Sequence, residues 1–419
     1  MGWDCYRYQW NVTQGVISAS HPPQKKHHAP EMATSPAATQ APTTYGPSHG
    51  YQPRQLLLLG AGPAHLQVLT NLATHPLVGV RITLIAPSPR YVYPPRLTEF
   101  VTGRRHLDDC SIALEPLVRR SGVRWLQRNV QGLDAKAQTI QLDDGSIHHY
   151  DWLSVDSNPV QSRDVMENLL SGAREHALFA YPLENFAALW PRVAELGATQ
   201  DLRIAILGGN NRAAELAFAV QTRLPQAAVS LLTAEVGAGA HGMAPLAPTV
   251  LSALKARQIT VLPDWGTSLN AEHLKLRCGA SLACDVVVMA SSAHPPAWLA
   301  SSGLALDERG FIAVTDTHQS PSHPHVFACG AVSARVDSRP DQRGHSHPQD
   351  GPALARNLAA TIAAQDLHAH PAANFERQWI ACADGSAILL WGERSAQSRL
   401  LGWFKRWRDR RFLARYRFE

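Results

Sequence analysis

Apolar residues in this chain come in short runs that end on glycine. Gln55-Leu56-Leu57-Leu58-Leu59 stops at Gly60; Gly62 follows, and His65-Leu66-Gln67-Val68-Leu69-Thr70-Asn71-Leu72 then spaces its apolar positions as a helix would. Val80-Arg81-Ile82-Thr83-Leu84-Ile85 is the next apolar run. A short apolar run bounded by turn residues predicts a buried strand, so strand, glycine turn, helix and strand predict a βαβ unit. The pattern returns: Leu202-Arg203-Ile204-Ala205-Ile206-Leu207 runs into Gly208-Gly209, a helix is expected over Arg212–Val220, and a strand over Ala228–Leu232. Further strands are expected at Gln138–Leu142, before the turn Asp143-Asp144-Gly145, and at Trp152–Val155, Val286–Met289 and Val326–Ala328. The class is α/β with two parallel sheets. Residues 1–53 are rich in Pro, His, Ser, Thr, Ala and Gln and show no apolar period, which predicts a disordered tail. Residues 1–31, ahead of Met32, are read either as an over-extended reading frame or as part of that tail.

Composition adds limits. With 419 residues, 45% of them hydrophobic, the chain can build two or three cores. It has no run of about eighteen apolar residues, so no transmembrane helix is expected, and Asp4, Arg7, Asn11 and Gln14 stand where a secretory leader would be apolar. Cys5, Cys110, Cys278, Cys284, Cys329 and Cys382 form no C-x-x-C pair and read as free thiols in a reducing compartment. The net charge of +5 is concentrated near the end, in Arg399, Lys405, Arg406, Arg408, Arg410, Arg411, Arg415 and Arg417. That is a local basic surface, and nothing else supports nucleic-acid binding.

A dinucleotide pyrophosphate needs a tight turn after a strand, backbone N–H groups facing it and a helix N-terminus behind it. Gly60-Ala61-Gly62-Pro63-Ala64-His65 supplies two of the three usual glycines, with His65 in the close-packed third place. The second turn, Gly208-Gly209-Asn210-Asn211-Arg212-Ala213, has Asn210 where the second glycine belongs. A side chain there pushes a pyrophosphate away from the backbone. Thr233 and Glu235, after the following strand, are candidates for an adenine ribose, and Glu235 would favour NADH over NADPH.

On these residues the chain resembles the pyridine nucleotide-disulfide oxidoreductase superfamily in its non-disulfide branch, beside type II NADH dehydrogenases and sulfide:quinone reductases. It is most similar to the FAD/NAD(P)-dependent oxidoreductase module associated with selenide, water dikinase. Leu58 through Leu66, Pro76 through Ile85, Pro295 through Leu299, Ser302 through Phe311, Ser320 through Gly330, Gly351 through Leu358 and Lys405 through Phe412 carry the likeness. It implies two Rossmann-like dinucleotide-binding domains, the NAD(P)H domain inserted into the FAD domain, plus a C-terminal segment. The FAD domain would be 54–160 and 305–365, with a connecting segment at 161–197, the NAD(P)H domain at 198–304 and the C-terminal segment at 366–419. The cofactors implied are FAD and NAD(P)H, with hydride passing from nicotinamide to flavin and electrons then to a quinone or another small acceptor. Residue by residue, Gly60, Ala61, Gly62, Pro63, Ala64 and His65 match the FAD pyrophosphate turn, and Val130 the stretch beside the adenine. Gly330 and Ala331 match the ribityl contact, and Gly351 and Pro352 the helix start facing the flavin pyrimidine. Gly208, Gly209, Asn210 and Glu235 match the NAD(P)H site.

Several ligand-facing positions depart from the family. Its Gly-Asp is Gly330-Ala331, and its Ala-Thr-Gly turns are Asp156-Ser157-Asn158 and Ala290-Ser291-Ser292. Its flavin loop is Tyr93-Pro94-Pro95-Arg96-Leu97-Thr98-Glu99, and Asp350 replaces a Gln. Two readings therefore stand: an FAD-dependent NAD(P)H oxidoreductase, or a catalytically degenerate relative acting as a binding or regulatory partner, linked to selenium metabolism.

Other signals are set aside. His65, His106, His241, His294 and His345, and the pair His345-Ser346-His347, show no metal-ligand spacing, so no metal is expected. Cys329 reads as a buried inert thiol. At the C-terminus, Leu400, Leu401, Trp403, Phe404, Trp407, Phe412, Leu413 and Tyr416 interleave with arginines. Residues 400–418 are read either as an interfacial helix on a membrane or as a terminal helix packed on the protein. The expected location is cytoplasmic, at the inner face of the membrane in the first case.

Overall fold

A computed structural model describes residues 53–158, 160–234, 246–291, 294–337, 349–371 and 377–417. The tail 1–52, Glu235, His241, Ser292, His345 and His347 lie outside the described residues.

Both expected βαβ units form. β1 (Arg54–Leu59) leads into α1 (Pro63–Thr74) and β2 (Val80–Ile85). With β3 (Arg124–Leu126), β4 (Trp152–Val155) and β10 (Val326–Ala328) they make a five-stranded sheet in the order β10-β4-β1-β2-β3, every pairing parallel. The second sheet holds β5 (Ala177–Phe179), β6 (Arg203–Leu207), β7 (Ala228–Leu232), β8 (Thr260–Leu262) and β9 (Val286–Met289), in the parallel order β5-β9-β6-β7-β8. Covered on both faces, such strands are mostly apolar: Leu56, Leu57, Leu58 and Leu59 are at most 2% exposed. β5 and the long helix α2 (Leu183–Thr199) come from the stretch between the two repeats.

α3 (Asn211–Arg223) follows β6 as α1 follows β1. α4 (Asp350–Ile362) lies on α1 so closely that a Cβ on Gly351 would press on Gln67 and Ala64. The chain then forms the antiparallel sheet β11 (Arg377–Ala381), β12 (Ala387–Trp391) and β13 (Arg394–Ser398). It ends in α5 (Arg399–Ala414), capped by the Ser398 hydroxyl, which accepts from Leu401 N. Among the described residues no helix is long and apolar enough to cross a membrane.

α5 packs one face on the protein and leaves the other exposed. Leu413 and Tyr416 are buried, and Phe412 stacks on Tyr93 with ring centroids 4.5 Å apart. Lys405 and Asp409, 4% and 1% exposed, pair at 2.9 Å, and Lys405 Nζ also donates to Pro95 O at 2.7 Å. The opposite face leaves Leu400, Trp403, Phe404 and Trp407 exposed.

Candidate functional site

Gly60 ends β1 at φ +88°, and a side chain there would collide with the backbone of Asp156 and Ser157. Its N–H donates to Ile85 O at 2.8 Å, and Gly62 N donates to Asp156 O at 2.9 Å. The turn is therefore pressed onto the ends of β2 and β4, an approach only glycine allows. α1 starts with Pro63, so the next amides point out of the helix end. Two of them, Ala64 N and His65 N, donate to Asp156 Oδ2 at 2.7 and 3.0 Å.

A helix N-terminus draws an anion through its unpaired amides and its dipole. Here the acceptor is the chain's own Asp156 carboxyl group. A Cβ on Gly62 would run into that carboxylate. Asp156 is 1% exposed. Burial pushes its carboxyl up to about 7, the two amide bonds oppose the rise, and the charge of Asp350 adds to it. Asp156 therefore exchanges its proton near neutrality.

His65 occupies the third glycine position without forcing helix and strand apart. Its ring is fully buried, with Nδ1 2.7 Å from Gly60 O and Nε2 2.8 Å from Ser154 Oγ. Ser154 faces it from β4, so the strand supplies the room and the hydroxyl. Burial lowers the imidazole to about 4, and the ring is neutral at pH 7.

The second turn is closed by a different device. Asn210 is the N-cap of α3: its Oδ1 accepts from Ala213 N at 2.9 Å and its Nδ2 donates to Ala290 O at 3.3 Å. The side chain that breaks the glycine pattern has become a helix cap bridged to the end of β9. A Cβ on Gly208 would clash with Ala290 O. The Thr233 hydroxyl donates to Leu262 O at 3.3 Å, toward its own sheet. A cavity of about 30 Å³ beside this turn is lined by Pro94, Leu97, Tyr181, Arg212, Glu215 and Ala290.

The structure gathers most residues expected around the first turn. Cys329 N donates to Val155 O at 2.9 Å, which sets Gly330 (φ +71°) and Ala331 beside the Asp156 strand end. Gly351 packs over Ala64, whereas Pro352 faces solvent. Val130 begins a strand of a separate antiparallel sheet, paired with Leu142. Cys329 is buried and its thiol is pushed well up by burial. The stretch 93–99 forms a short turn and enters the helix Leu97–Val101, with buried Arg96 bound to Glu99 at 2.5 Å and to Asp109 O at 2.9 Å. His106 and His294 are exposed and join no cluster among the described residues. A second cavity, of about 470 Å³, lies beside Leu72, Pro76, Val80 and Gly122, at the start of β2. Sheets of this kind bind ligands beyond the opposite, C-terminal strand ends.

The sequence model of the family described as pyridine nucleotide-disulphide oxidoreductase matches residues 54–357. The chain is 23% identical over 344 residues to the alternative NAD(P)H-ubiquinone oxidoreductase C1, chloroplastic/mitochondrial, of Arabidopsis thaliana, covering 71% of this chain and 64% of that protein. It thus spans less than two thirds of that relative. Among solved structures, the sulfide:quinone oxidoreductase of Aquifex aeolicus superimposes with a TM-score of 0.69 at 18% identity, covering 87% of this chain and 91% of that one. The NDH2 of Plasmodium falciparum, solved in complex with NADH, gives 0.65 at 11% identity, covering 87% and 98%. These likenesses are to a fold of two Rossmann-like units, which the two parallel sheets display.

Proposed function

The chain belongs to the pyridine nucleotide-disulphide oxidoreductase family, and from that premise we propose that it is an FAD-dependent NAD(P)H oxidoreductase that delivers electrons to a quinone. Family membership implies FAD and NAD(P)H as cofactors. The observation that carries the reading is the paired arrangement of strand, glycine turn and helix, one on each five-stranded parallel sheet. The half made of 54–160 and 305–365 would take FAD and the half 198–304 the nicotinamide nucleotide.

The first turn fits a pyrophosphate in its backbone. Gly60 and Gly62 leave no side chain in the way, and Ala64 N and His65 N face the position. Asp156 holds those amides and must yield them for the cofactor to settle. When bound, FAD supplies hydride acceptance from NAD(P)H and electron transfer onward. The helix start at Gly351 would favour negative charge near it. Tyr93, stacked on Phe412, and Pro95, bound by Lys405, tie the neighbouring loop to α5.

The acceptor side rests on α5. Leu400, Trp403, Phe404 and Trp407 are 73%, 54%, 42% and 41% exposed, at helical spacing, with exposed Arg399, Arg410 and Arg411 along the same helix. An apolar face with a basic flank suits an anionic lipid surface, where a quinone is dissolved. A second reading, a fold retained without turnover, is favoured by one observation: amides at both helix starts are engaged by Asp156 and Asn210.

The test is NADH- and NADPH-dependent reduction of a short-chain quinone by the full chain reconstituted with FAD. It is paired with sedimentation on vesicles containing anionic lipid. Turnover that requires FAD, and vesicle binding lost in the double substitution Trp403→Ser, Trp407→Ser, support the first reading. Bound flavin with no turnover supports the second.

A further inference from the structure

Three side chains from separate segments meet beside the start of α4. His318 lies between Ile312–Val314 and β10, Asp350 opens α4, and His370 follows that helix. Each offers one ligand atom, and the three atoms lie within 4.8 Å of one another. His318 and Asp350 are 2% and 8% exposed. His370 Nε2 stands 3.8 Å from Asp350 Oδ1, beyond hydrogen-bond length, and the two imidazole centroids are 5.7 Å apart.

His318 Nε2 is buried without a hydrogen-bond partner. An orphaned polar atom in a core is costly and calls for an occupant. The loops carrying the two histidines are fastened to each other. Fully buried Asn357 donates to Thr317 O at 3.0 Å and His368 O at 2.9 Å, and accepts from His368 N at 2.9 Å. His370 N donates to Asp316 O at 2.8 Å, and Arg335 holds His370 O at 2.6 Å while paired with Asp337.

We propose that His318, Asp350 and His370 bind one divalent first-row transition-metal ion. Two imidazoles and one carboxylate suit Zn²⁺ or Fe²⁺ and leave coordination positions open. Bonds of about 2.0–2.2 Å require the three atoms to draw together by roughly 1 Å, within reach of side-chain rotation. The site uses neither glycine turn, and its Asp350 opens the helix whose next residue, Gly351, is set beside the flavin in the proposed function.

The full chain, stripped with a chelator and free of flavin, is titrated with Co²⁺ by visible absorption and with Zn²⁺ by calorimetry. One equivalent should bind at micromolar affinity or tighter, with cobalt bands that Zn²⁺ displaces and a rise in Tm on adding Zn²⁺. His318→Gln and His370→Ala should each lose at least about 100-fold in affinity, together with the Tm response. His370 is partly exposed, so its variant reports even if the His318 variant does not fold. No one-equivalent binding in the wild type, or binding and Tm response intact in His370→Ala, would overturn the site.

Discussion

Replacing Asp156 by alanine should tighten FAD binding. In the wild type, Ala64 N and His65 N are held by the Asp156 carboxylate at 2.7 and 3.0 Å, so a pyrophosphate must displace it. A hydrogen bond to a charged group contributes about 1.5–3 kcal/mol. Two are broken and the phosphate remakes them, while the displaced carboxylate regains hydration. The net barrier is then of the order of one such bond, about 1.5–3 kcal/mol, or roughly 10- to 150-fold in Kd. The barrier depends on pH. With its carboxyl raised to about 7 by burial and returning toward the ordinary 3.8 once released to water, Asp156 stays in place most firmly when protonated and is displaced most easily when ionised. Wild-type FAD affinity should therefore fall as pH falls from 8 to 6, and Asp156→Ala should remove that dependence; Asp156→Asn, which keeps the shape, should fall between. Quenching of flavin fluorescence on titrating apo-protein at both pH values measures this. Equal or weaker binding by Asp156→Ala, or an unchanged pH dependence, would refute the competition.

The same carboxyl sets a stability profile. Its folded pKa lies above the unfolded 3.8, so the native state holds the extra proton, and its contribution is largest below pH 3.8 and lost as pH rises to about 7. Urea unfolding of Asp156→Asn relative to wild type should shift in favour of the variant by about 4 kcal/mol over that window, and no change between pH 5 and 7 would contradict it. His65, lowered to about 4, works in the opposite sense, adding stability as pH rises from about 4 to 6.5, so only the variant difference isolates Asp156. Asp409→Ala leaves the Lys405 ammonium buried without its counter-charge and should cost about 3–5 kcal/mol, most of it recovered when Lys405→Met is added; chemical denaturation decides. Asn210→Gly restores the glycine pattern of the second turn at a cost of a few tenths of a kcal/mol, since glycine also caps helices. It should lower the KM for the nicotinamide nucleotide, and a higher KM would mean that the asparagine cap helps to hold that ligand.

The scaffold was legible because strands of a covered parallel sheet are mostly apolar on both faces. Leu56–Leu59 and Ile204–Leu207 could be little else, and the glycines after each run located the turns. The ligand-facing chemistry was legible only as departures. Asp156 stood out as a break in a family turn, but its meaning depends on β4 pairing with β1, which carries the carboxylate across to α1. His65 read as a bulky residue in a close-packed place that the resemblance nonetheless matched, and Ser154, on a strand far along the chain, gives the ring its partner. Lys405 and Asp409 were hidden in a run of solvent-like charges, although their i, i+4 spacing was the available signal. His318, Asp350 and His370 share no local spacing, so no sequence pattern could join them.

The most direct test of the central claim is the visible absorption spectrum of the purified chain after incubation with FAD, recorded anaerobically before and after NADH and then NADPH. Oxidised-flavin bands should be retained, bleach with one of the nucleotides and recover when a quinone is added. A protein that retains no flavin at pH 6 or 8, even as Asp156→Ala, would contradict it.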